Sequence, residues 1–74
     1  MSKYYRFQND APRTGEIVHC YTKLDEFLKF INMMKKQDPQ FMRMNFWELE
    51  GQFIRHDDGD AVIKVITVKK MQNI

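Results

Sequence analysis

Met42-Arg43-Met44-Asn45-Phe46-Trp47-Glu48-Leu49-Glu50-Gly51-Gln52-Phe53-Ile54-Arg55-His56 alternates apolar and polar side chains well enough for one long strand, with Gly51 marking a bulge. Asp57-Asp58-Gly59-Asp60 follows at once, and Ala61-Val62-Ile63-Lys64-Val65-Ile66-Thr67-Val68-Lys69 is a β-branched run that favours extended backbone. Together they predict a hairpin. A three-residue loop of Asp57, Asp58 and Gly59, with Gly59 left-handed, pairs Ile54 with Val62, Phe53 with Ile63, Gln52 with Lys64 and Glu50 with Ile66. A two-residue Asp58-Gly59 loop sets Phe53 opposite Lys64 instead, so the first register is preferred. It assigns two faces. One carries Trp47, Leu49, Phe53, Ile63 and Val65, and a helix is expected to cover it. The other mixes Glu48, Glu50, Gln52 and Lys64 with Ile54, Val62, Ile66 and Val68.

Upstream, Lys3-Tyr4-Tyr5-Arg6-Phe7-Gln8 is rich in strand-favouring aromatics and stops at the turn formers Asn9-Asp10-Ala11-Pro12. Glu16-Ile17-Val18-His19-Cys20-Tyr21 predicts a second, short strand. Thr22 and Asp25 then stand in capping-box spacing, with Asp in place of the usual Glu, so a helix is expected to start there. Leu24, Phe27, Leu28, Ile31 and Met34 recur with the period of a helical face. Lys35 and Lys36 suit the negative end of the macrodipole, and Pro39 disfavours helical geometry at Asp38, which stops the helix near Gln37. Phe30 and Met33 fall outside the narrow stripe.

The expected architecture is therefore α+β: a small antiparallel sheet packed on one amphipathic helix, in the order β-β-α-β-β, as a single domain over residues 1–74. A chain that is 43% hydrophobic and 30% charged is too apolar to be disordered, and no run approaches the ~20 apolar residues of a membrane span. One cysteine, Cys20, makes no internal disulfide, and the first residues lack the apolar core of a signal peptide. A cytoplasmic setting without membrane attachment is expected. A short chain with no motif suits a bacterial or bacteriophage accessory protein.

Few constellations point to chemistry. Asp57, Asp58 and Asp60 around a glycine turn bring a hard cation to mind, but the distal Glu of an EF-hand loop is missing and Asp-Gly is an ordinary hairpin signal. His56 beside it is read as a strand-end residue facing solvent. His19 and Cys20 are adjacent, and adjacent strand residues point to opposite faces, which separates imidazole from thiol. Glu48 and Glu50 share a face, where pairing with Lys64 accounts for them. No catalytic residue, metal site or cofactor is assigned.

What remains is binding. The first expectation is a non-enzymatic interaction or regulatory domain with a protein partner or a second copy on a surface of Phe30, Met33, Ile54, Val62, Ile66 and Val68. The alternative is an RNA- or DNA-binding domain using Tyr4, Arg6, Arg43, Arg55 and Lys64 for stacking and phosphate contacts. The net charge of +2 is small for a dedicated nucleic-acid binder.

Overall fold

Four strands and one helix follow one another as β1 (Tyr4–Gln8), β2 (Ile17–Cys20), α1 (Leu24–Gln37), a short 3₁₀ turn (Pro39–Arg43), β3 (Asn45–Asp57) and β4 (Asp60–Met71). The computed structural model describes residues 2–72, the side chains of residues 41 and 42 excepted. All strand pairs are antiparallel, in the order β1-β3-β4-β2, so the structure is the expected small α+β fold. The long strand starts at Asn45 rather than Met42, because the segment after Pro39 winds into the 3₁₀ turn first.

The sheet is strongly curled. β1 and β2 lie at its two ends, yet Tyr5 and Tyr21 face each other across a bridge in which each backbone N–H donates to the other's carbonyl, at 2.9 and 2.7 Å. Where β1 and β2 diverge, the Arg6 side chain spans the gap, its Nη1 donating to the His19 carbonyl at 2.7 Å and its Nε to Gln8 Oε1 at 2.6 Å. Curling buries the inner face against itself. Tyr4, Val18, Cys20, Trp47, Leu49, Ala61, Ile63 and Val65 form this inner cluster.

That closure corrects the expected placement of the helix. Trp47, Leu49, Ile63 and Val65 are covered by the sheet's own curvature, and α1 packs on the outer face instead, over Tyr5, Phe7 and Phe46. Its inward residues Phe27 and Ile31 are fully buried there. Ring contacts of Phe27 with Tyr5, Tyr21 and Phe46, at centroid distances of 5.4 to 6.1 Å, each add roughly 0.5–1.5 kcal/mol beyond the area they bury. Phe30 also belongs to this cluster, stacked on Phe7 at 5.4 Å, because large rings on β1 and Tyr21 widen the covered arc. Leu24 is exposed, its turn preceding the ring cluster, and Met33 is exposed as its position implies.

The helix start is also corrected. Lys23, not Thr22, is the extended residue before the first turn, two residues after the Tyr5–Tyr21 bridge, and no side chain caps the helix. Asp25 and Glu26 lie in the first turn and Lys35 and Lys36 in the last, matching the macrodipole.

The hairpin loop is the two-residue Asp58-Gly59, with φ of 46° and 86°, as a type I′ turn requires. Phe53 nevertheless faces Ile63 and Gln52 faces Lys64, as the three-residue register predicts. The extra residue is Ile54, bulged so that Arg55 rather than Ile54 pairs with Val62. A second shift at Glu50/Gly51 leaves Ile66 as the additional residue on β4, so Glu50 pairs with Thr67. Beyond it the alternation is reversed. Val68 therefore pairs with Leu49 and packs on the inner cluster, not beside Ile54 and Ile66.

Gly51 is required by close approach at this bulge. A Cβ there would meet the Lys64 carbonyl oxygen and come within 2.9 Å of Ile63 Cδ1. Gly51→Ala is expected to lower stability by about 1–3 kcal/mol in urea unfolding, whereas Asp58→Asn, at the first turn position where either residue accepts a positive φ, leaves the midpoint nearly unchanged.

Candidate interaction surface

The ladder places the outward side chains of β2, β4 and β3 in rows. Ile17, Lys64 and Gln52 form one, and His19, Val62 and Arg55 the next. Both bulge residues, Ile54 and Ile66, fall outside these rows, and Ile66 borders a cleft with Tyr4, Gly51 and Phe53. Since α1 covers the outer sheet over Tyr5, Phe7 and Phe46, Ile17, Ile54 and Ile66 remain exposed at 61%, 42% and 56%. Lys64, Arg55 and Gln52 are exposed among them, and neither cation makes an ion pair with a described residue.

Of the six residues expected at the interaction surface, Met33, Ile54 and Ile66 are exposed, the last two at the bulges of β3 and β4. Val62 lies in the same rows but is buried, so it forms the floor and is not itself available for contact. Val68 has turned inward, Phe30 is half-buried against Phe7 and Tyr21, and Met33 is exposed on α1. Ile17 is the residue the sequence reading missed. Its alternation with Val18 and Cys20 carries the signal, since Ile17 and His19 must share the face opposite those buried residues.

The basic and aromatic candidates do not converge. Tyr4 is buried in the inner cluster, where its ring cannot stack on a base, and Arg6 is engaged as the strut between β1 and β2. Trp47 is buried too, its indole donating to the Gln8 carbonyl at 2.9 Å. Arg43 borders a separate cleft with Asn9 and Asp38. Only Arg55 and Lys64 share a surface.

At the turn end of the face, His19 Nε2 lies 3.6 Å from Asp57 Oδ2 and 3.8 Å from Asp60 Oδ2. The acidic turn thus gains its imidazole from β2, while His56 rests against Phe53 at a ring distance of 4.8 Å. Burial pushes the Asp60 carboxyl up, His19 opposes this, and the carboxylates of Glu26, Asp57 and Asp58 reinforce it. Among the described residues no group of three or more His, Cys, Asp or Glu side chains is arranged to hold a metal ion. At the opposite end, Glu50 Oε1 accepts from the Thr67 hydroxyl at 3.0 Å, and Glu48 lies 3.8 Å from Lys3 Nζ. Lys64 stands across from Gln52, so the expected pairing of Glu48 and Glu50 with Lys64 does not form.

The inner face opens at the same end of the hairpin. A cleft of about 420 Å³ there is bounded by Lys3, Tyr4, Thr22, Phe53 and His56. Phe53 is still 46% exposed in it, because β1 pairs with β3 only as far as Leu49.

Cys20 is buried, its Sγ 3.4 Å from the Ala61 carbonyl. Burial, opposed by Arg6 and assisted by Asp60, raises the thiol from an ordinary 9.0 to about 12. The folded state therefore holds the thiol proton more tightly than the unfolded chain, a contribution complete below pH 9.0 and lost as pH rises toward about 12. Wild type is expected to lose more stability than Cys20→Ala between pH about 8 and about 10.5 in urea titrations. Alkylation of Cys20 by iodoacetamide should likewise be far slower in the native protein than in the denatured chain.

Comparison with protein-family models, with curated proteins and with solved structures finds no match.

Proposed function

We propose that the protein is a small non-enzymatic interaction domain that docks a protein on the part of its outer sheet face left uncovered by α1. One observation carries the reading: Ile17, Ile54 and Ile66, from the three neighbouring strands β2, β3 and β4, are all exposed on the part of the sheet that α1 leaves uncovered. A cluster of exposed aliphatic side chains rimmed by polar groups is the surface that association removes from water, at roughly 25 cal/mol per Å² of apolar area.

The arrangement of reactive groups supports the non-enzymatic side of the proposal. The Cys20 thiol is held protonated inside the sheet, while His19, its neighbour in sequence, points outward to Asp57 and Asp60. Glu48 and Glu50 are engaged with Lys3 and Thr67, and His56 borders the inner cleft. A cytoplasmic setting belongs to the same proposal, supported by a free and buried thiol. Among the described residues no helix is long and apolar enough to cross a membrane.

The test combines light scattering during size-exclusion chromatography with affinity capture, for wild type and for Ile17→Asp and Ile66→Asp variants shown to be folded by circular dichroism. Both substitutions are expected to weaken association about tenfold or more, as charge placed in an apolar contact does. Met33→Glu, on the helix, should leave it intact. Association unchanged in both folded isoleucine variants, or no self-associated or retained species with wild type, would remove the proposal.

A further inference from the structure

We infer that the open edge of β3 takes up a short extended segment of another protein, which adds to the sheet beside Gln52–Asp57 and places one aromatic side chain in the cleft at Phe53 and His56. The site is separate from the outer surface proposed above. It lies at the mouth of the inner face, and two observations of its own carry it.

The first is the edge. From Gln52 to Asp57, β3 pairs with β4 alone among the described residues, because the ladder between β1 and β3 ends at Tyr4 opposite Leu49. In a strand paired on one side, alternate backbone N–H and C=O groups point away from the neighbour, and the partner that satisfies them in series is another extended backbone. An added strand there continues the line of β1 along β3.

The second is the cleft on the inner side of the same edge. Phe53 stands opposite Ile63, and His56 opposite Ala61, which in turn faces Cys20. Those three partners are fully buried in the inner cluster, so Phe53 and His56 belong to the inner face as well. The bulge at Ile54 is what turns both of them inward. Phe53 is nevertheless half exposed, since the wall that Tyr4 supplies over Leu49 is missing beside it. Tyr4, Phe53 and Ala61 give the cleft of about 420 Å³ its apolar lining, and no carboxylate borders it among the described residues. The rings of Phe53 and His56, 4.8 Å apart and inclined at 60°, present the edges and faces on which a further aromatic ring packs.

Each observation sets a different part of the occupant: the edge its extended backbone, the cleft its inward side chain. Neither suffices by itself. The bulge twists the edge, so only a few ladder bonds form along it, and the anchored ring supplies the rest of the affinity. A free aromatic molecule fills the cleft but leaves the edge unpaired.

The experiment is selection of a displayed random dodecapeptide library on the full chain, followed by fluorescence anisotropy of the enriched peptides. They should share one Phe, Tyr or Trp in a stretch without Pro. Phe53→Ala, shown to be folded by circular dichroism, should weaken them about tenfold, whereas Ile17→Asp should leave them unchanged. With the wild-type chain, N-methylation of the peptide backbone should cost about tenfold at alternate positions and little at those between, as a strand ladder requires. No enriched peptide, peptides indifferent to Phe53→Ala, or peptides indifferent to N-methylation at every position would overturn the inference. Peptides that need Ile17 but not Phe53 would do so and leave the outer docking surface standing. A self-associated mass lost in Phe53→Ala would assign the edge to a second copy instead.

Discussion

The backbone bridge between Tyr5 and Tyr21 is the contact on which the rest of the molecule depends. It joins the two ends of a four-stranded sheet whose middle is the long β3–β4 hairpin, and so converts an open sheet into a curl with an inside. A chain of 74 residues has little surface to spare for a core. Curling lets one set of strand side chains serve as both walls of the inner cluster, from Tyr4 and Val18 to Leu49 and Val65. The single helix is thereby released to cover part of the outer face.

That division of labour creates the candidate surface. α1 reaches Tyr5, Phe7 and Phe46, while β4 and the distal half of β3 extend beyond it with Lys64, Gln52 and Arg55 exposed and Val62 buried between them. The two bulges matter for the same reason. Each leaves one isoleucine without a partner across the ladder, Ile54 before Arg55 and Ile66 before Thr67, and both are exposed. A bulge also twists and blunts an edge strand, which limits uncontrolled pairing along β3 while leaving Gln52–Asp57 without a strand on one side.

Charge is distributed unevenly over this surface. Carboxylates at the two ends have partners within the chain, His19 for Asp57 and Asp60 and Thr67 for Glu50, whereas exposed Lys64 and Arg55 make no ion pair among the described residues. Exposed cations of this kind contribute little to folding stability.

Much of the architecture was legible in local pattern. Turn chemistry at Asp58-Gly59, β-branched runs and the helical recurrence of Phe27 and Ile31 located the four strands and the helix, and the alternation from Gln52 to Phe53 placed those residues opposite Lys64 and Ile63. What lay outside the sequence was which face the helix would take, since both faces of the hairpin are partly apolar and either would have satisfied α1. Closure of the sheet settled it, through contacts between residues far apart in the chain, such as Tyr5 with Tyr21 and His19 with Asp60. Bulges escaped for a related reason, because one inserted residue at Ile54 compensates a shorter turn and only the paired strand reveals the exchange. Residue type and spacing determined the elements and their amphipathic faces, since these follow from backbone geometry and local sterics. Tertiary structure alone decided which of those faces reached water, because burial is set by the neighbours that folding brings from elsewhere in the chain.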